Sequence, residues 1–254
     1  MKKNSLFLIN LIFWSSPLLF WIGWQIVLVF PHSLWVLALV SALILLPVAF
    51  ESAGRRLSWT MLFIFINLSL LLGSFYLFIS LIASPWILRL LWLFIIWYLY
   101  RYLWEAKKYA GSGQTDFFAP IAGVGGLVSV FFSTASLFGL QSFLSLSPWP
   151  LLAALLPVLF LNIRAAAFIQ GWNKSQDFPL WPVLSLFVAQ IVMMLTFLPL
   201  NYLISGILSA LAYYSAFNFV RLYLNNNLKG HKIRNYAWFT AISLAVILLS
   251  ARWL

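Results

Sequence analysis

The sequence holds no cysteine, four acidic residues and two histidines. Without cysteine there is no disulfide, no thiolate metal site and no cysteine nucleophile, and the redox compartment cannot be read. Charge of either sign is scarce: charged residues are 7% of the chain and hydrophobic ones 64%, against roughly 25% charged in an ordinary soluble domain. No soluble core of this length can hide so much apolar side chain. The excess must face hydrocarbon, where every backbone N–H and C=O needs an internal partner. Strand-like alternation is missing too, since runs such as 57–82 and 86–103 are apolar on every face, which excludes a barrel. The expected fold is therefore all-α, a polytopic integral membrane bundle with no soluble domain.

At about twenty apolar residues per crossing, spans fall near 6–30, 33–50, 57–82, 86–103, 118–144, 150–170, 180–199, 204–224 and 236–253, which makes nine. Lys2 and Lys3 ahead of the first run resemble the start of a signal peptide. No small-x-small cleavage site follows through Phe30, so the run reads as an uncleaved span. Positive residues stay on the cytoplasmic side. With the N-terminus inside and the C-terminus outside, only Arg89 and Arg252 of the fifteen lysines and arginines fall on the outer side. A miscounted odd number of spans would destroy that pattern downstream of the error. Glu51, Glu105, Asp116 and Asp177, the only acids, also fall inside.

Indoles prefer the headgroup layer. Trp59, Trp104, Trp172, Trp181 and Trp238 are expected in the inner belt, and Trp35, Trp86, Trp149 and Trp253 in the outer one. Spans three and four, set against seven and eight, hint at a duplication through Trp59 with Trp181, Asn67 with Gln190 and Arg101 with Arg221. Membrane physics alone also produces such placements.

Span five carries a packing signal. Ala119, Ala122, Gly126, Ser129, Ser133 and Ser136 recur at spacings of three and four along one helix face. Small side chains there admit another helix closely, either within the chain or from a membrane-protein partner. Gly123, Gly125 and Gly126 beside Pro120 are also the composition of a loosened transporter helix. Gln25, Asn67, Gln141, Asn162, Gln190 and Asn218 lie deep in spans. Interhelical hydrogen bonds account for them, while a transporter would use Asn67 and Gln190 as a midplane polar site. Arg89 and Arg164, each close to a span end, are expected to snorkel.

Only the inner surface gathers ionisable residues, with His231, Lys232 and Arg234 beside the acids. Such a set suits anionic lipid headgroups or, in an enzyme, a lipid phosphate. Paired DxxD, HExxH, GxSxG and phosphate-cradling glycine loops are all missing. The basic residues are scattered between apolar runs and form no nucleic-acid face. No cofactor or metal site is expected.

Leu195-Thr196-Phe197-Leu198-Pro199, Gly206, Tyr213-Tyr214, Arg221-Leu222-Tyr223-Leu224 and Ser250-Ala251-Arg252-Trp253 resemble uncharacterised multi-pass membrane proteins of candidate-phylum bacteria. The resemblance spans the C-terminal quarter. It implies a bacterial cytoplasmic membrane and no transferable activity. The function expected first is a non-enzymatic membrane subunit or scaffold, followed by a transporter or lipid-handling protein and then a lipid-phosphate enzyme at the inner face.

Overall fold

The structure, a computed structural model, describes residues 59–79, 118–145, 147–169, 180–224 and 230–250 and part of 86–101. Spans 6–30 and 33–50, all four acids and the loops that carry them lie outside the described residues. Those described are almost entirely helical and include no strand. Six helices follow in order: α1 (Trp59–Ile79), α2 (Phe118–Leu144), α3 (Pro148–Ile169), α4 (Leu180–Leu195), α5 (Tyr202–Leu224) and α6 (Gly230–Ser250). The described positions within 86–101 are helical as well.

Among the described residues, four helices are long and apolar enough to cross a membrane: α2 from Gly123, α3 up to Phe168, α5 and α6. Their apolar residues lie all round rather than on one stripe, the pattern of helices bathed in hydrocarbon or buried within a bundle. The chain is a membrane-embedded helical protein. By length, α2 at 27 residues spans about 40 Å and α4 at 16 residues about 24 Å at 1.5 Å per residue.

Local chemistry sets the helix ends. α2 stops at Ser145, whose φ of 51° is the left-handed conformation that closes many helices. α4 ends at Leu195, earlier than the expected 199. The N–H groups of Thr196, Phe197 and Leu198 bond back three residues in a tightened turn, and Pro199 bars the residue before it from helical geometry. Asn201 then caps α5: its side-chain Oδ1 accepts from Leu203 N at 3.0 Å and its carbonyl accepts from Ser205 N at 3.0 Å. α6 begins at Gly230, so His231, Lys232 and Arg234 are helical and not loop residues as expected. Their charge marks the edge of the hydrocarbon, and a helix is free to continue beyond that edge. Pro157 sits inside α3, where it removes one hydrogen bond to the carbonyl four residues back.

α2 is the hub. It packs against α1, α3 and α5, while α3 also meets α1 and α4, α4 meets α5, and α5 meets α6. Pairs of touching residues give the directions. Asn67 lies by Gly125 and Ser74 by Ser129, so α1 and α2 run parallel. Tyr213 lies by Gly126 and Gly206 by Ala135, so α5 runs antiparallel to α2. Ser215 bonds Thr240 at about equal distances from the short connection between Leu224 and Gly230, so α5 and α6 pack as an antiparallel pair. Parallel α1 and α2 require the chain to return to the starting end between them, and the described positions within 86–101 are helical. Every described lysine or arginine (Arg101, Arg164, Arg221, Lys232 and Arg234) then falls toward the same end of the bundle.

Candidate functional site: a polar seam around α2

The interior of the bundle is polar along one line. On α2, Gly125 and Gly126 stand side by side and face different neighbours. A Cβ at Gly125 would meet the Tyr98 hydroxyl and stand 3.1 Å from Asn67 Oδ1; one at Gly126 would stand 2.8 Å from the Tyr213 hydroxyl. The missing side chain at both places leaves room for the hydroxyl end of a tyrosine from another segment. One turn on, Ser129 joins three helices. Its Oγ accepts from Asn162 Nδ2 of α3 at 3.2 Å and meets Ser74 Oγ of α1 at 3.4 Å. Asn162 also donates to Val158 O, and Ser74 to Leu71 O. Ser74, Ser129 and Asn162 are all buried.

Further along, Ser136 and Thr134 turn their hydroxyls back onto the carbonyls of Phe132 and Val130, at 2.6 and 2.7 Å. They satisfy themselves within α2 and bridge nothing. An aromatic block closes this end: Phe75 and Phe78 of α1 lie against Phe131 and Phe132 of α2, with ring centroids 5.0 to 5.5 Å apart. On the α5 side, the backbones approach so closely that a Cβ on Gly206 would stand 2.7 Å from Ala135 Cβ and 3.2 Å from Ala135 Cα.

Of the expected seam residues, Gly126, Ser129, Ser133 and Ser136 are buried inside the bundle. Ala119 and Ala122 belong to the same helix. The described part of this face meets the chain's own helices, with Ser129 bonded to α1 and α3 and Gly126 against Tyr213 of α5. Asn67 is buried as well, at 1% exposure, whereas Gln190 is exposed on the outside of α4. One amide is enclosed by the bundle and the other is exposed. Trp181, expected in the inner belt, is fully buried in the core, unlike the exposed Trp86, Trp149 and Trp238.

Three side-chain atoms of the seam are buried without a hydrogen-bond partner: Asn67 Nδ2, Asn162 Oδ1 and Tyr213 Oη. The seam therefore offers donors and acceptors, carried by amides and hydroxyls. Among the described residues no three His, Asp or Glu gather in a set able to hold a metal ion. Arg164 is half-buried near the end of α3.

Residue spacing in span five revealed one side of the seam and missed the others. Ser74 and Tyr98 stand out in no motif, and Tyr213 entered only through the Tyr213-Tyr214 pair of the resemblance, with no packing role attached. The matching face of α5, with Ser205, Gly206, Ser209 and Ala210 all buried, does have a legible signal: two overlapping small-xxx-small pairs.

A second feature lies at the edge. α6 has no buried residue and, among the described helices, packs on α5. Grooves of about 580 and 620 Å³ flank it. The first runs between α4, α5 and α6 and the second between α2, α5 and α6, and both are lined almost wholly by apolar side chains. The Ser215–Thr240 bond at 2.9 Å ties the two helices across their contact. In comparisons with protein-family models, curated proteins and solved structures, the chain matches none.

Proposed function

We propose that the chain is a multi-pass protein of a bacterial cytoplasmic membrane, crossing it nine times with the N-terminus inside, and that it serves as a non-enzymatic subunit or scaffold. The observation that carries the functional part is α6. It exposes Trp238, Phe239, Ile242, Val246 and Leu249, buries no residue and has a groove on each side. Lipid tails are as apolar as leucine, so burial from water does not hold such a helix to its neighbours; shape and hydrogen bonds do. Two grooves flanking one loosely held helix give a partner's transmembrane helix a complementary shape to enter.

The topological part is supported by the alternation of helix direction and by the five described cations at one end of the bundle. That end, taken as cytoplasmic, also attracts anionic headgroups at roughly 1 kcal/mol per well-placed cation. Isolation in nanodiscs after crosslinking from a photoreactive residue at Phe239 or Leu249 tests the subunit reading. A defined membrane protein joined to α6 is expected, and recovery of lipid adducts alone would refute it.

A transporter or lipid-handling protein is the second reading, favoured by the unpartnered Asn67 Nδ2 and Tyr213 Oη inside the bundle. It requires that substrate reach them, so Asn67→Leu should abolish transport while leaving the protein folded. The inner-face lipid-phosphate enzyme rests on Glu51, Glu105, Asp116 and Asp177, all outside the described residues.

A further inference from the structure

Gln190 is left over from every role above. It is exposed on α4, forms no hydrogen bond with any described residue, and sits within an apolar stripe: Val183, Leu186, Phe187 and Met194 are all exposed beside it. Steps of four, three and four from 183 through 187 and 190 to 194 give the seam spacing of two helices packed along their length. Its depth is internal, because the adjacent Ile191 shares a groove wall with Leu208 and Leu211 of α5. A primary amide facing hydrocarbon loses its hydrogen bonds to water and gains nothing in return.

We propose that this face of α4 is the contact between two copies of the chain, related by a two-fold axis beside Gln190, with the two Gln190 amides bonded to each other. A primary amide carries a donor and an acceptor, so its partial charges complement those of its own symmetry mate. The stripe has no charged residue, and two chains of formal charge +11 therefore meet there without opposing like charges. A single polar residue in an apolar helix seam also fixes register, because any slip leaves both amides unpaired. The contact uses no residue of α6, although its edge at Phe187 also forms part of the wall of the groove between α4, α5 and α6.

The natural lack of cysteine makes the test clean. In lipid vesicles, Phe187→Cys and Met194→Cys should each form a disulfide-linked dimer on mild oxidation, whereas Leu249→Cys on α6 should not. Gln190→Leu should weaken dimerisation about tenfold, measured by energy transfer between labelled chains on dilution with lipid, and Gln190→Asn should retain most of it. Tenfold equals about 1.4 kcal/mol, within the range of interhelical hydrogen bonds in membranes. If Gln190→Leu fails to fold, the cysteine crosslinks in the chain that keeps Gln190 decide. Monomeric wild-type protein, unaltered dimerisation of Gln190→Leu, or α4 cysteines that react only with cysteines placed in residues 1–58 of the same chain would each overturn the proposal. Crosslinking of α4 to a different membrane protein in place of a second copy would do so as well.

Discussion

Replacing Gly206 by alanine puts one methyl group between α5 and α2 at their closest approach. The new Cβ would stand 2.7 Å from Ala135 Cβ, 3.2 Å from Ala135 Cα and 3.2 Å from Phe131 Cε2. Ordinary carbon contacts lie near 3.5–4.0 Å, so the helices must separate by several tenths of an ångström or more. One obstacle is backbone and cannot swing aside. Overpacking of this kind costs about 1–3 kcal/mol. Against it stands the helix-propensity gain of alanine over glycine, about 1 kcal/mol. Gly73 on α1 isolates the two effects, because a Cβ there meets nothing within 4 Å and Gly73→Ala keeps the propensity gain alone. The two variants should differ in unfolding free energy by about 1–3 kcal/mol, with Gly206→Ala the less stable. Steric-trapping measurements in bicelles can resolve that difference. Adding Ala135→Gly removes the nearest atom and should recover part of the loss. Equal stabilities for Gly206→Ala and Gly73→Ala would refute the close α2–α5 contact and the seam built on it.

Further substitutions test other parts of the account. Gly125→Ala should destabilise through the Tyr98 hydroxyl, and Tyr98→Phe should relieve it, giving a double-mutant coupling of about 1 kcal/mol in the same unfolding assay. Ser129→Ala, which removes the only hydroxyl shared by α1, α2 and α3 in the described seam, should cost about 1 kcal/mol. Ser136→Ala should cost clearly less, because its hydroxyl bonds only its own helix. Asn201→Ala removes the cap of α5 and should cost about 1 kcal/mol, with faster hydrogen exchange at Leu203 as its local signature.

Helical content was legible because apolar runs of about twenty residues admit few alternatives. Boundaries were less so. The end of α4 depends on Pro199 and the start of α5 on Asn201, both visible in the sequence, yet hydropathy averages across them. α6 extends into the polar segment because charge reports where water begins, and the helix passes that point. Facing was the least legible property. Asn67 and Gln190 both read as mid-span amides, and only packing turns one inward and the other outward. Trp181 illustrates the same gap, since a tryptophan near a span end satisfies the belt rule from depth alone while its ring fills the core. In span five Gly126, Ser129, Ser133 and Ser136, which spacing places on one face, are all buried. Its partners come from three other segments, and spacing within one helix carries no information about them.

The arrangement rests on helices that alternate across a membrane with the described cations gathered at one end. Single cysteines at Ser145, beyond the end of α2, and at Gly230, at the start of α6, test it in the naturally cysteine-free chain. Labelling by a membrane-impermeant maleimide in sealed vesicles of known orientation gives the answer. Ser145→Cys should react only from the outer side and Gly230→Cys only from the cytoplasmic side. Reaction of both from the same side would contradict the threading and the bundle built on it.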